Sequence, residues 1–324
     1  MANKSETPKN MRSGAREVLG SLARGILARE AGAIHGKETE YLHRMRSRTS
    51  RLKTAVRLLG KVSGLRKRAQ WLEDVDWLMD VLGGIRDLDV MLASMKEMGV
   101  RLRSEEHQSG FRHIWKVFSR RREELYRRMR KIMRTQRWKQ LKARLRGLER
   151  QGQGLWIADN GDAAPLPRDL FSILMVPCLN ALQKRRAPLL ERVTPRRIHA
   201  FRLTIKPLRY LCEFFQPFLG KKVQKQLEFW GKCQACLGDM HDLDVLYAEL
   251  QSLRLRLLLS RKSRRAASAN TAARLIESIH RRHDELWRQF ETLWPGLNSA
   301  APMMKSLAGL SAIRKSKRFS LKMQ

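Results

Sequence analysis

Acidic residues are scarce in this chain of 324 residues. It has 31 aspartates and glutamates against 67 lysines and arginines, which gives a formal net charge of +36. An excess of this size makes the chain repel itself, and the usual compensation is a polyanionic partner. The composition therefore favours binding to nucleic acid, to an anionic membrane or to a phosphate polymer.

Long apolar runs and clustered cysteines are also missing. There is no stretch of 18 uncharged apolar residues, and the opening MANKSETPKNMRSGAR has no apolar run, so we expect neither a membrane span nor a signal peptide. The pair Cys233-x-x-Cys236 alone could be a redox motif or half of a zinc site. Because it lies in a segment of helical period without a second ligand pair, we expect buried, reduced thiols and a cytoplasmic protein.

Strand-like alternation is absent, and apolar residues recur with a helical period along almost the whole chain. The sequence therefore predicts an all-α protein, with N-caps at Ser104 and at Thr194, which Pro195 follows. Residues 151–167 are rich in Gly, Asp, Asn and Pro, which predicts a linker. Helices are expected near residues 12–33, 38–61, 67–98, 105–149, 168–190, 195–219, 221–256 and 263–294.

Two motifs occur twice in the same order. HRMRSRTSRLK at residues 43–53 is matched by HAFRLTIKPLR at 199–209, and LGGIRDLDVM at 82–91 is matched by LGDMHDLDVL at 237–246. The offsets, 199 − 43 = 156 and 237 − 82 = 155, agree closely, which indicates an internal duplication. We expect two four-helix halves at 12–150 and 168–296, joined by the linker 151–167 and followed by a basic tail at 297–324.

Each His-x-x-Arg segment places two stripes on its helix. The apolar stripe should face the core, and it comprises Met45, Thr49, Leu52, Val56 and Leu59 in the first copy and Phe201, Ile205, Leu208, Cys212 and Phe215 in the second. The basic stripe lies about 110° away on the flank, and it comprises His43, Arg46, Lys53 and Arg57 in the first copy and His199, Arg202, Lys206 and Arg209 in the second.

Like charges three and four residues apart destabilise a helix, and an extended anion would offset their repulsion. In so basic a protein, however, such a stripe can also be an ordinary solvated face. Each histidine can likewise be a structural contact between helices.

The repeated aspartates allow two roles. Asp87, Asp89, Asp242 and Asp244 could hold Mg²⁺, but residues two apart on a helix point about 200° away from each other, which disfavours a shared metal. We expect Asp87 and Asp242 to pair with Arg or His of a neighbouring helix and so to orient the binding side chains. The sequence contains no Ser/His/Asp arrangement, P-loop or HExxH motif, so we expect no catalytic residue, cofactor or metal.

Together these segments resemble the CHAD family, the conserved histidine α-helical domain. The resemblance rests on HRMRSRTSRLK with LGGIRDLDV and on HAFRLTIKPLRYL with LGDMHDLDV, and it covers roughly residues 12–295. It implies two four-helix bundles related by pseudo-two-fold symmetry, with a basic central cleft or channel that binds inorganic polyphosphate without enzymatic activity. Family members often accompany a triphosphate-tunnel domain, which needs an ExExK strand. Here Glu38-Thr39-Glu40 is followed by Tyr41 and Leu42, so a stand-alone CHAD protein is expected.

The predicted polyphosphate-binding residues are His43, Arg46, Arg51, Lys53, Arg57, His199, Arg202, Lys206 and Arg209. The two copies differ where Ser50 corresponds to Lys206 and where Pro207 corresponds to Arg51, so the half-sites should contribute unequally. A cytoplasmic location, with association with polyphosphate granules as an open question, goes with this function.

Other functions stay open at this point. The main alternative is non-specific RNA or DNA binding, weak and confined to low salt. It is disfavoured because the aromatic residues fall at core-like helical positions rather than forming stacking platforms; these are Trp71, Trp77, Trp115, Phe214 and Phe215. A phosphohydrolase or polyphosphate kinase would need an acid or metal cluster, and an anionic-membrane or scaffold role is the remaining alternative.

Overall fold

The computed structural model describes residues 11–153, 167–259 and 264–307, and these residues form helices without strands. A 3-10 turn at Gly220–Val223 separates the eighth α-helix from the ninth. None of the described helices is both long and apolar enough to cross a membrane. The all-α prediction is confirmed. The helices are α1 (Met11–Leu27), α2 (Glu30–His35), α3 (Thr39–Leu59), α4 (Arg68–Gly99), α5 (Glu105–Ile132), α6 (Gln136–Gln153), α7 (Pro167–Glu191), α8 (Pro195–Leu219), α9 (Gln224–Leu258) and α10 (Arg264–Leu307).

Two predicted helices were wrong in extent, because each is broken in two. The segment 12–33 breaks between α1 and α2, where the Arg29 side chain donates to the Gly25 carbonyl at 2.8 Å. The segment 105–149 breaks between α5 and α6, where the Thr135 hydroxyl donates to the Ile132 carbonyl at 2.7 Å. Side-chain hydrogen bonds of this kind compete with the helical ladder. The predicted first half therefore contains six helices instead of four.

Both predicted N-caps are confirmed. Ser104 Oγ accepts a hydrogen bond from the His107 N–H at 3.2 Å, and Thr194 Oγ1 accepts one from the Arg197 N–H at 3.3 Å. These bonds satisfy N–H groups that have no acceptor inside the helix. α8 then continues through Pro207 to Leu219, and α10 runs past its predicted end at 294 to Leu307.

The chain packs as two compact units. Among the described residues, one comprises 12–153 with 239–259 and 264–287, and the other comprises 167–238 with 288–307. A division by packing does not test a division by repeated sequence, so the bounds of the two halves stay a prediction. Most of the expected linker, at 154–166, and most of the basic tail, at 308–324, lie outside the described residues.

Helix α3 is held in the unit that begins at Arg12 by a tight contact with α2. A Cβ on Gly32 of α2 would lie 2.4 Å from the Tyr41 ring of α3, so the approach of these helices requires glycine. α2 ends at Gly36, which has a φ of 75°. Arg130 of α5 donates to the last carbonyls of α2, at 2.9 Å to Ile34 and 3.1 Å to His35. This packing fixes the face that α3 turns to the core.

Helix α8 is fixed in the other unit by aromatic residues. Phe201 packs against Phe290 and Trp294 of α10, with ring centroids 6.1 and 5.9 Å apart. Near the other end of α8, Phe215 contacts Phe171 of α7 at 5.3 Å. Aromatic pairs in this range are attractive beyond the area they bury.

The four cysteines are free thiols, three of them buried and Cys178 half-buried. Burial raises the pKa of Cys178 to about 11 and that of Cys212 and Cys233 to about 12. The expectation that the thiols of this segment are buried is confirmed, and thiols with a raised pKa stay protonated at neutral pH.

Candidate functional site

The repeated helices carry the two stripes that the sequence predicts. In α3 the apolar residues Met45, Leu52 and Val56 have no exposed surface, and in α8 the same holds for Phe201, Ile205 and Leu208. The predicted binding residues of both helices are half-buried except for Arg57, which is exposed. We call them the α3 row (His43, Arg46, Arg51, Lys53 and Arg57) and the α8 row (His199, Arg202, Lys206 and Arg209).

His43 and His199 sit among positive charges. Burial, followed by the charge of Arg86, lowers the pKa of His43 below its ordinary value, with Arg46 and Arg51 adding to the effect and Glu40 opposing it. Burial also lowers the pKa of His199, assisted by Arg202 and Lys206. Each imidazole is therefore neutral at neutral pH, and its basic neighbours lie close enough to affect its protonation.

The α3 row is anchored by acids of α4. Arg46 Nη2 lies 3.9 Å from Asp87 Oδ1, and Lys53 forms an ion pair with Asp76. Arg51 donates instead to the Ser47 hydroxyl of its own helix. Arg57 pairs with none of the residues in the described ranges. Besides His43, the row thus contains three side chains with defined partners and one exposed guanidinium.

The α8 row has a different set of neighbours. Arg209 pairs with Glu213 one turn later, at 2.8 Å. Arg202 runs beside Gly238 of α9, where an added Cβ would lie 4.0 Å from the guanidinium Nε. Gly83, the counterpart of Gly238 in the first copy, has nothing within 4 Å of its Cβ position. The surroundings of the two rows are therefore not identical.

The repeated Asp-Leu-Asp-Val segments connect neighbouring helices. Asp87 faces Arg46 of α3, whereas Asp89 forms an ion pair with Arg122 of α5. In the second copy Asp244 lies 3.6 Å from His283 of α10. The opposite directions of Asp87 and Asp89 follow from the roughly 200° between residues two apart on a helix. Within the described ranges, no group of three His, Cys, Asp or Glu side chains is placed to hold a metal ion.

Comparison with protein-family models gives one result that covers most of the chain. The model of the CHAD domain matches residues 17–251, which is more than half of the sequence. This chain belongs to the CHAD family.

Solved structures agree with the CHAD fold. The crystal structure of the CHAD domain from the plant Ricinus communis matches with a TM-score of 0.69 and 23% identity, covering 92% of this chain and 95% of that one. PptA from Streptomyces chartreusis matches with a TM-score of 0.63 and 14% identity, covering 89% of this chain and 100% of that one. At these identities the likeness establishes the common fold. Comparison with curated proteins found no match.

Sequence reasoning missed two basic residues of this CHAD chain, Arg86 beside His43 and Arg122 in α5. Arg86 is the strongest charge acting on His43, and Arg122 neutralises the buried Asp89. Arg86 could have been found, because it directly precedes the repeated Asp-Leu-Asp-Val. No local signal marks Arg122, since its role depends on how α5 packs against α4.

The prediction that the aromatic residues are core positions was only partly right. Trp71, Phe214 and Phe215 are buried, with at most 7% of their surface exposed. Trp77 and Trp115, however, are half-buried on the surface. The Arg137 guanidinium lies over the Trp77 ring, 4.6 Å from its centroid, and so occupies one face of that ring.

Proposed function

We propose that this CHAD chain binds inorganic polyphosphate through the α3 row and the α8 row and leaves the polymer chemically unchanged. The observation that carries the proposal is the repetition of a half-buried basic row, opened by a histidine of lowered pKa, on both duplicated helices. On a fully solvated face, water and salt would screen such charges from one another. Here burial and neighbouring cations act on the same imidazole.

The chemistry of the two rows suits a flexible polyanion. Polyphosphate carries about one negative charge per phosphate and offers no bases to read. Guanidinium groups donate planar, paired hydrogen bonds to phosphate oxygens, and the Lys ammonium supplies a movable positive charge. A neutral imidazole donates one further hydrogen bond.

The acidic neighbours fit an orienting role. Arg46 can keep its contact with Asp87 through Nη2 and still present other N–H donors to phosphate, because a guanidinium has five. We propose an orienting role for Asp242 as well, because it is the counterpart of Asp87 in the repeated segment. The carboxylates then restrict long side chains that would otherwise lose conformational entropy on binding.

A competition assay tests the choice of ligand. Labelled long-chain polyphosphate is bound to the protein at about 150 mM salt, where weak non-specific contacts are screened, and is challenged with unlabelled polyphosphate, tRNA and duplex DNA at equal phosphate concentration. We expect only polyphosphate to displace the label efficiently. Displacement by tRNA or DNA at the same concentration would support general nucleic-acid binding instead.

A second assay tests the absence of catalysis. The protein is incubated with long-chain polyphosphate and Mg²⁺, and chain length is followed on a gel together with released phosphate. We expect no change relative to a sample without protein. Protein-dependent shortening would mean that the rows serve a hydrolase or a phosphotransferase.

A further inference from the structure

A cavity of 610 Å³ lies in the unit that begins at Arg12, at the end of the bundle where α3 passes into α4. Four guanidinium groups line it: Arg12 and Arg16 from α1, Arg66 from the turn before α4, and Arg144 from α6. None of the described residues that line it is acidic, and none belongs to the α3 row. The cavity is therefore lined by positively charged residues that lie outside the repeated motifs.

A second cavity of the same unit shows that such an imbalance is not general. It has a volume of 820 Å³ and lies between α4, α9 and α10. Its arginines are balanced by carboxylates, and Arg282 pairs with Glu285 at 2.9 Å. The charged residues that line it are Arg101, Arg281, Arg282, Glu97, Asp239, Asp242 and Glu285. That cavity is lined by carboxylates as well as guanidinium groups, whereas no described residue that lines the arginine cavity is acidic.

Two of the four guanidinium groups are held by the fold. Arg16 donates through Nε to the Ser63 carbonyl at 3.1 Å. Arg144 forms an ion pair with Asp74 and lies over the Trp71 ring, 4.3 Å from its centroid. Because these contacts use only part of each guanidinium, both groups keep donors for a ligand. Their positions are fixed before a ligand arrives, which lowers the entropic cost of binding.

The other two guanidinium groups belong to exposed residues, Arg12 and Arg66. Arg66 forms no ion pair with any residue of the described ranges. Arg12 lies against Gly64, which has a φ of 69°, and an added Cβ there would lie 2.9 Å from Arg12 Nη2. Gly64 thus serves both the backbone turn and the close approach of the arginine.

The backbone beside the cavity has a further feature of an anion site. Lys67, the residue before α4, has a φ of 52°, which is the left-handed region that side chains other than glycine rarely adopt. α4 begins at Arg68 without a side-chain cap and without an acid in its first turn. Its first N–H groups lie between Arg66 and Trp71, which both line the cavity. Uncapped N–H groups and the helix dipole favour a negative charge there.

We propose that this cavity binds a compact anion that carries several phosphate groups, such as tripolyphosphate or an inositol polyphosphate. Its volume is in the range of small-molecule sites. A single phosphate would fill only a small part of a cavity of 610 Å³. A nucleotide base is not favoured, because Arg144 already covers the exposed face of the buried Trp71. The ligand is therefore recognised by clustered phosphate oxygens, and the site is separate from the two rows proposed for long-chain polyphosphate.

Calorimetry with the full chain tests the site. Tripolyphosphate and inositol hexakisphosphate are titrated into wild-type protein and into an Arg12→Gln/Arg66→Gln variant. We expect the variant to bind about tenfold or more weakly, because two charge-assisted hydrogen-bonding groups are lost. The control is Arg127→Gln/Arg128→Gln, which removes two exposed charges of α5 and should change affinity less than about twofold. The tighter of the two ligands identifies the source of the phosphate groups.

Hydrogen exchange of the wild-type protein locates the site without mutation. Tripolyphosphate or inositol hexakisphosphate should slow amide exchange in peptides that cover residues 60–71, and the same protection should persist in an Arg202→Ala/Lys206→Ala/Arg209→Ala variant. Conversely, Arg12→Gln/Arg66→Gln should still bind long-chain polyphosphate. Equal affinity of the variant and its control, or protection confined to other peptides, would overturn this proposal and leave the function of the rows untouched.

Discussion

Arg46 of α3 and Asp87 of α4 face each other across the contact of their helices, with Nη2 3.9 Å from Oδ1. The distance is at the long end for an ion pair, and both side chains are part-exposed, so the contact adds little to stability. The contact instead orients the Arg46 side chain, because it holds this guanidinium of the α3 row toward α4.

Replacing Asp87 with Ala separates orientation from net charge. The substitution makes the protein more positive, so electrostatics alone predicts tighter polyphosphate binding. If Asp87 positions Arg46, affinity should instead fall by about two- to fivefold, which is the range of an exposed ion pair. The measurement is the dissociation constant for long-chain polyphosphate at constant salt.

The matched control is Asp80→Ala. Asp80 lies two turns earlier on the same face of α4, is exposed, and pairs with none of the described residues. The Asp80→Ala substitution removes the same charge as Asp87→Ala but no orienting contact, so the affinity for polyphosphate should stay equal or rise slightly. If both variants bind equally well or more tightly than wild type, Asp87 has no positioning role.

The α8 row should bind more strongly than its charge alone explains. Replacing Arg202, Lys206 and Arg209 together with Ala should weaken polyphosphate binding by at least about tenfold, since charge-assisted contacts to phosphate are lost. The comparison is Ala at Arg127, Arg128 and Lys131, three exposed cations of α5. Circular dichroism confirms that both variants fold.

Both triple variants lose three charges, so a change in the overall field affects them equally. The salt dependence gives a second reading, because fewer phosphate contacts should flatten the slope of log affinity against log salt. Equal losses of affinity and equal slopes in the two variants would mean that the α8 row is an ordinary solvated face.

The stripes of α3 and α8 could be predicted because the 3.6-residue period fixes angles within one helix. Once Leu52 and Ile205 face the core, Arg46 and Arg202 must lie on the flank. The pairing of Asp89 with Arg122 could not be predicted in the same way. It joins residues 33 positions apart in different helices, so it depends on tertiary packing.

The breaks in the first and fourth predicted helices show a related limit. Apolar residues keep their helical phase from α5 into α6, with Met129, Met133 and Trp138 all buried. The apolar periodicity therefore does not reveal the break between α5 and α6. The structural feature found at the break is the hydrogen bond from the Thr135 hydroxyl to the Ile132 carbonyl. The exposed side of Trp77 was missed for a similar reason, because pattern alone does not reveal that Arg137 covers one face.

The Asp89–Arg122 pair should matter for stability, in contrast to the Arg46–Asp87 pair. The Asp89 side chain is only 2% exposed, and burial raises its pKa although Arg122 opposes this. Arg122→Leu should therefore lower the free energy of unfolding by about 3–5 kcal/mol at neutral pH, since a buried charge loses its partner. Chemical denaturation measures the change.

The pH dependence of that loss has a defined sign. A buried carboxyl whose folded-state pKa is raised binds protons more readily in the folded than in the unfolded state. The penalty of Arg122→Leu should therefore shrink as pH falls through the raised folded pKa toward the unfolded value near 3.9. Asp89→Asn combined with Arg122→Leu should lose less stability than Arg122→Leu alone. A penalty that stays constant with pH would show that Arg122 acts through its packing on Tyr126, not through Asp89.

The two histidines should make polyphosphate binding depend on pH. In the free protein the pKa of both histidines is lowered. For His43 the causes are burial and then the charge of Arg86, with smaller contributions from Arg46 and Arg51, while Glu40 opposes them. For His199 the causes are burial and then the charges of Arg202 and Lys206. A bound phosphate adds negative charge and should raise both pKa values. Protons are then taken up on binding, so affinity should rise as pH falls through the interval between the bound and the free pKa. Since the free values lie below about 6.5, most of the rise is expected on the acid side of neutrality.

A double variant, His43→Gln with His199→Gln, isolates this effect. Gln keeps a hydrogen-bond donor but does not titrate, so the variant should bind nearly as well as wild type at pH 8 and should lose most of the rise at lower pH. The terminal phosphates of the polymer also titrate, near about pH 6, but they do so with both proteins and cancel in the comparison. Dissociation constants measured from pH 8 to 5.5 at constant ionic strength give the two slopes. Identical slopes would show that both imidazoles are structural contacts at the start of each row, and that the arginines and lysines alone hold the ligand.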